Sequence, residues 1–578
     1  MADTRSLKAR WAIEHNREKL VREYNVLRRN ERSIMPGGLL GLPGVPGADL
    51  PAVPPNRRVL PGHELPPYVG PTTNIAGGSG AALLRGPGPT VPPPRKVGIV
   101  GGAVAGLYIA LILEKLEIPN LEIEILEANE RVGGIVWTHN FSDKKHDYYD
   151  VGTMRFPDIR VMKRTFDLFE YLKIETRPYF LSGPKTPALL NNRFFAAGTD
   201  PYGVSVSNGG SVPDDVADDW SKPLDDAFDP YKKEFKHSSS RMAGLKGELP
   251  KQEFFSIQWM ETQNTATDLF DQSFSESVID SFDFDGSANW YCIEGGTTRV
   301  TDAMVASLKN TTISTKKRVV TIGQDTTVSD DGSIFLKVCG EQTPREGYSS
   351  IFSSAPLGCL ARMDLDNFAL HPSTRDAIRC LHYDDSVKVV WPTLTFPSEF
   401  ACIRRTTSND PENEPAVLLV SYTWSQDAAR VGSLLKSGKE AEDELIDFVL
   451  CDIARLHAQT VSEKTVRDTF TGVCSGAFAI FGPGQFRNLY PYLIRPAADG
   501  KFHIVGEASS SHHAWIVGAL DSAYYAVAKF LFRFGLMGHI QTLKDKLGDL
   551  DELDDGTYGS LHMVTYLGQL QEGQHVKV

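Results

Sequence analysis

Long apolar runs are missing from this chain of 578 residues, and no stretch approaches the ~20 consecutive apolar residues of a membrane-spanning helix. Positive charge is scarce as well. Lys and Arg number 60 against 73 Asp and Glu, a net charge of −13, so no basic footprint for nucleic acid is expected. A phosphate-bearing ligand stays open, because glycine turns bind phosphate through backbone N–H groups. Cysteine is sparse and unpatterned. The seven residues (Cys292, Cys339, Cys359, Cys380, Cys402, Cys451, Cys474) are odd in number and never form CxxC, which argues against a disulfide framework and a zinc site. The N-terminus has no apolar leader, and Glu14, Glu18, Glu23 and Glu31 are unlike an acid-poor transit peptide. Asn140-Phe141-Ser142 and Asn310-Thr311-Thr312 match the glycosylation pattern but carry little weight without a secretory route. The expectation is a reduced cytoplasmic protein with no metal, membrane or nucleic-acid partner. A stretch at Ser281–Gly286 (SFDFDG) superficially matches a calcium loop, but its twelfth position is Cys292 instead of a bidentate glutamate.

What is present implies more than one structural unit, since the chain is too long for a single core. Residues 1–33 have helical spacing (Leu20, Tyr24, Leu27), and Pro36–Pro94 is too rich in Pro and Gly for helix or sheet. The folded body is expected to begin at Lys96. There a buried-looking strand turns through Gly101, Gly102 and Gly106 into an apolar helix, Leu107–Leu116. A second strand, Leu121–Leu126, follows and ends at Glu127, 21 residues after Gly106. Strand, glycine turn, helix, strand and acid is the order that binds the ADP half of a dinucleotide. Glycines admit the pyrophosphate, the helix N-terminus offers N–H groups, and the acid accepts from a ribose. Ala103 stands where the second glycine of GxGxxG belongs, so the fingerprint alone is weak. Glu127-Ala128-Asn129-Glu130-Arg131-Val132-Gly133-Gly134 and the late strand ending in Gly506-Glu507 favour FAD over NAD, because the flavin end must be gripped beyond the pyrophosphate.

Several blocks then resemble, in order, the flavin-dependent amine oxidases, and within them the L-amino acid oxidases of the fungal lysine-oxidase-like branch. They include GTMRFP at Gly152–Pro157, IEGGTTRV at Ile293–Val300, RVVTI at Arg318–Ile322 and APL at Ala355–Leu357. HYDDSVKV at His382–Val389, SYTW at Ser421–Trp424, GAFAIFGPGQF at Gly476–Phe486 and GEASSSHHAWIVGALDSA at Gly506–Ala523 continue the series. The resemblance implies an α/β fold: a two-dinucleotide-binding-domain flavoprotein with a Rossmann-like FAD domain, an α+β substrate-binding domain and a helical insertion. The expected FAD domain is 96–156, 289–358 and 465–535, and the substrate domain is 176–200 and 359–464. The helical domain is 157–175 and 201–288, with an arm at 1–95 and an acidic helix (Leu543–Asp555) and tail in 536–578.

By the same resemblance, Arg155 clamps the substrate α-carboxylate, a role suited to a planar, always-charged guanidinium; a structural Arg–Asp pair is the alternative. Lys388 holds a water near the flavin, or is an ordinary strand lysine. Trp515 forms an aromatic wall, or is simply core. Gly101, Ala103, Gly106, Glu127, Ala128, Arg131, Gly133, Gly134, Met154, Arg155, Val320, Gly506, Glu507, Trp515, Ile516 and Val517 are the expected FAD contacts. Glu507 is assigned to ribityl hydroxyls, and the N–H groups near Ile516 and Val517 to the flavin pyrimidine. Two departures stand out: Ile135 replaces the usual arginine of GGR, and Arg404–Leu419 lacks the tyrosine that supports the clamp in many relatives. His512 and His513 read as polar scaffold. Acids in Asp214–Asp229 either bias the enzyme toward basic substrates or form a solvated loop. The implied reaction is FAD-dependent oxidation of L-amino acids by O2, with broad range, in a homo-oligomer. An L-amino acid 2-monooxygenase and a flavin binder without turnover are the alternatives.

Overall fold

A computed structural model describes residues 93–548 except 182–188, 191–192, 195–199, 238–253, 265–271, 282, 284–287, 325–332, 367, 369, 394–415, 436–437 and 458–469. The expected N-terminal helix, nearly all of the proline-rich arm, the end of the acidic helix and most of SFDFDG lie outside these residues.

The site is built on a five-stranded parallel sheet. Its order is Thr311–Ser314, Glu122–Leu126, Lys96–Val100, Ser350–Ser353, Phe502–Ile504. Lys96–Val100 lies at the centre, pairing Val97 with Ile123 on one side and Ser350 on the other. Both of its faces are covered, which is why four of its five residues are buried and it reads as a nearly unbroken apolar run. The helix Val104–Leu116 packs on the long helix Ile516–Arg533, of which Leu520, Ala523, Tyr524 and Val527 are fully buried. The strand, turn, helix and strand order expected after Lys96 is thus present, with the helix beginning at Val104 instead of Leu107.

Two further sheets matter. Tyr383–Thr393 is the middle strand of an antiparallel trio, flanked by Ala416–Trp424 and Phe470–Ala479. The boundary expected at residue 464 assigns Phe470–Ala479 to the FAD segments, yet its ladder is with Tyr383–Thr393. A smaller sheet pairs Trp290–Ile293 with Phe156–Pro157 and Thr176–Pro178, fixing the chain that follows Arg155. The helix expected from Asp158 begins later, at Lys163, after a single 3₁₀ turn at Arg160–Met162. The helix expected from Leu543 instead spans Met537–Leu547 and ends at Gly548 with φ +76°, a conformation that favours glycine.

One surface contact gives a pH test of the sheet edge. Glu114 accepts hydrogen bonds from Lys309 N–H, Asn310 N–H and Thr311 Oγ1, joining the helix to strand Thr311–Ser314. Burial pushes this carboxyl upward, but the bonds from Thr311, Lys309 and Asn310 outweigh it and hold it below the usual range. A depressed folded pKa stabilises above the unfolded value and is lost as pH falls through the folded one. Glu114→Gln is expected to cost about 1 kcal/mol at neutral pH, after discounting for solvent screening. Melting temperatures of wild type and variant should converge in acid; a gap that persists unchanged contradicts the assignment.

Candidate active site

The turn after Lys96–Val100 works because it carries almost no side chains. Gly101 adopts φ +105°, and a Cβ there would stand 2.6 Å from Ser354 Oγ. Gly106 serves a different purpose. Its Cβ would come within 2.1 Å of the Gly101 carbonyl oxygen, so it permits close helix–strand packing behind the cavity wall. Ala103 is accommodated by a second glycine. It bridges to Gly133, and a Cβ on Gly134 would sit only 2.9 Å from the Ala103 methyl. The methyl missing from one loop is thus traded for one on the other.

Glu127 is buried at the end of its strand, where Oε2 accepts from Gly102 N–H at 2.7 Å and Oε1 from Asn129 N–H at 2.8 Å. Gly101, Ala103, Glu127, Ala128, Gly133 and Gly134 line a cavity of about 640 Å³. Val320, Gly506, Glu507, Trp515 and Ile516 line the same cavity, bringing together chain ends nearly four hundred positions apart. Arg131 and Val517 do not line it. Arg131 donates to the carbonyls of Val132 and Gly134 and lies 4.8 Å from the Trp137 ring centre, while Val517 is fully buried. Ile135 does line the cavity, at the position where the resemblance implies an arginine.

Glu507 does more than the sequence suggests. Its Oε1 accepts from Ala479 N–H at 2.9 Å and its Oε2 from Ala514 N–H at 3.2 Å, tying the strand Phe470–Ala479 to the loop before Trp515. Burial pushes this carboxyl above its usual range, opposed by the nearby His513.

Beside the large cavity lies a smaller pocket lined by Arg155 and Met154, and the two spaces share Gly152, Thr153, Tyr422, Phe478, Ala514 and Trp515. The Arg155 guanidinium stands 5.4 Å from the ring centre of Trp290, which in turn lies 6.2 Å from Trp515. Lys388 is no surface lysine. It is buried, donates to Asp150 O at 2.9 Å and to Gly152 O, and lies 5.1 Å from the Tyr422 ring centre.

Tyr422 lies in the SYTW block, to which no role is assigned by resemblance. Most of Arg404–Leu419, where a clamp-supporting tyrosine is lacking, falls outside the described residues, but the strand Ala416–Trp424 sets Tyr422 directly opposite Lys388. The period-two alternation of Val420, Tyr422 and Trp424 is the signal that marks it. Gln272, Glu276 and Asp280, which carry no motif, reach the pocket from the helix Phe274–Asp280 and the residues before it. His513 lines that pocket too, with Nδ1 2.7 Å from Glu276 Oε1; His512 instead donates its N–H to Ser510 Oγ.

The cavity suits an extended dinucleotide on its own geometry. At Gly506 the backbone has φ +134° and nothing lies within 4 Å of where a Cβ would stand, leaving room a side chain would fill. The N-terminal ends of two helices reach the wall, through Ala103–Ala105 and through Trp515 and Ile516, both favourable to anionic groups.

Comparison with known proteins agrees. The family model for flavin containing amine oxidoreductase matches residues 104–531. A protein of Dictyostelium discoideum assigned as a bifunctional amine oxidase is 33% identical over 528 residues, covering 79% of this chain and 48% of its own length. L-amino-acid oxidase 4 of Hebeloma cylindrosporum is 31% identical, covering 77% of this chain and 83% of its own. Among solved structures, one from Exiguobacterium sp. 255-15 assigned as a protoporphyrinogen oxidase superposes with a TM-score of 0.50 at 14% identity, covering 78% and 99% of the two chains, a likeness of fold alone. The chain belongs to the flavin containing amine oxidoreductase family, and its cofactor is FAD.

Proposed function

We propose that this protein oxidises L-amino acids to 2-oxo acids, with release of ammonia and hydrogen peroxide, over a broad range of side chains. The observation that carries this is Arg155 in a pocket walled by Trp515 and Tyr422 and contiguous with the FAD cavity. The similarity to fungal L-amino-acid oxidase 4 supports it. Bound FAD supplies the two-electron oxidant, which O2 restores. FAD would be held by the glycine turn, Glu127 and the N-terminal end of the helix Ile516–Arg533.

The chain's own groups have separable roles. Arg155 pairs with the substrate carboxylate through two parallel N–H bonds, fixing both position and orientation of Cα. Tyr422 supports the carboxylate from the neighbouring strand. Trp515, Trp424 and Phe478 exclude water, which strengthens the Arg155 pair. Lys388 anchors the Asp150–Gly152 loop through two carbonyls and so sets the approach of Thr153 to Arg155. The residues of 96–156, 289–358 and 465–535 form the FAD domain in this reading, with Phe470–Ala479 shared with the substrate sheet.

Product analysis tests the proposal. Oxidative deamination gives 2-oxo acid, ammonia and peroxide in equal amounts. Amide and CO2 without peroxide would identify a monooxygenase and refute it.

A further inference from the structure

Trp290 stands behind the pocket and not in it. It is buried, yet it belongs to the wall of neither the Arg155 pocket nor the FAD cavity. Its place is set by the small sheet. Trp290 begins the strand Trp290–Ile293 and lies opposite Pro157, while Tyr291 lies opposite Phe156. The backbone around it is bonded down as well: Asp158 N–H donates to Asn289 O at 2.8 Å, and Tyr179 N–H to Trp290 O at 2.7 Å. The indole thus comes from a strand whose register with the chain just after Arg155 is fixed. The Arg155 guanidinium stands over this ring at 5.4 Å from its centre, inside the ~6 Å range of a cation–π contact. Trp515 lies 6.2 Å from the same ring with the planes inclined at 44°, and both indoles belong to one buried cluster with Tyr179 and Cys292.

We infer that Trp290 is a positioning residue for the oxidation: its indole face holds the Arg155 guanidinium ready for the substrate carboxylate, at a set spacing from Trp515. The inference rests on the oxidase reading for the role of Arg155. A guanidinium on a long stem loses rotamer freedom when a substrate orders it, and that loss weakens binding unless it is met beforehand. An aromatic face is suited to meeting it. The ring attracts the cation through its quadrupole but uses up none of the N–H donors, which stay available for a paired, planar contact with a carboxylate. A carboxylate in the place of Trp290 would hold the guanidinium too, but would compete with the substrate for the same donors. The second neighbour gives the ring a further effect. Trp515 lines both the pocket and the FAD cavity, so one stiff side chain spaces the carboxylate anchor from the cofactor side. A tryptophan that merely filled the cluster would matter equally with or without the guanidinium in front of it.

That difference is the test, a double-mutant cycle on the full-length holoenzyme. It is read as kcat/KM for L-leucine at matched flavin content, since leucine adds no side-chain charge of its own. Trp290→Leu should lower kcat/KM by about 5–10-fold, mostly through a raised KM. In the Arg155→Ala background the same substitution should change kcat/KM by less than about twofold, because the group it acts through is gone. Trp290→Phe keeps an aromatic face and should recover most of the loss. Trp290→Met also removes the ring but fills the space more pliantly, and it replaces Trp290→Leu in the cycle if that variant does not fold. An equal loss in both backgrounds, or no loss with an aliphatic residue at 290, overturns the inference and leaves the oxidase reading standing. An Arg155→Ala protein that matches wild type defeats the reading of Arg155, and the inference falls with it.

Discussion

Arg155→Ala should lower kcat/KM for L-amino acids by about 10²–10³, mostly through a raised KM. Truncating one member of a desolvated, hydrogen-bonded charge pair costs about 2–5 kcal/mol, because the partner charge is left without compensation. In the proposed reaction that partner is the substrate carboxylate, and the wall formed by Trp515 and Tyr422, with Trp290 against Arg155 itself, offers it little water in exchange. Arg155→Lys should recover only part of the loss, since an ammonium cannot make the paired planar contact. Steady-state kinetics on the three proteins at matched flavin content check this. A KM for Arg155→Ala within about twofold of wild type, well below the loss expected of such a pair, would return Arg155 to a purely structural role.

Gly106→Ala should strip the protein of FAD and lower its melting temperature. The added methyl would stand 2.1 Å from the Gly101 carbonyl oxygen and 3.1 Å from Ile99 Cγ2 and Ser354 Oγ. The nearest of these is backbone, so relief requires the helix Val104–Leu116 to move away from the strand Lys96–Val100. Its N-terminal end forms part of the cavity wall, and its other side bears on the helix Ile516–Arg533. Overpacking of this kind costs about 1–3 kcal/mol in the fold alone. The displaced N–H groups would lower the bound flavin by about 10-fold or more, since each lost charge-assisted hydrogen bond is worth about 1.5–3 kcal/mol. The flavin-to-protein absorbance ratio after gel filtration and a thermal melt read the two effects. A variant that keeps its full flavin content would show that this turn does not hold the cofactor.

How much of this was legible in the sequence follows the range of the interactions. The glycine turn, Glu127 and the strand–helix order were readable because their geometry is decided within a few residues. Gly506-Glu507 was readable as a partner because a glycine and an acid at a strand end have few other uses. Tyr422, Glu276 and Asp280 were not. Tyr422 depends on the register of Ala416–Trp424 against Tyr383–Thr393, and a shift of one residue would turn it to the other face. Glu276 and Asp280 come from an inserted helix with no motif of its own and reach the pocket only through tertiary packing. The acid-rich stretch at Asp214–Asp229 stands out by composition, but the carboxylates that line the Arg155 pocket, Glu276 and Asp280, are fewer and later in the chain. The sheet partner of Phe470–Ala479 was hidden for a related reason, since that strand returns to a sheet begun about ninety positions earlier.

The central claim, that an L-amino acid bound at Arg155 gives up two electrons to FAD in the adjoining cavity, is tested most directly by anaerobic titration of the purified holoenzyme. Addition of L-lysine should bleach the visible flavin band completely with one equivalent of substrate per flavin, and admission of O2 should restore it. A flavin band that no L-amino acid bleaches would contradict the account.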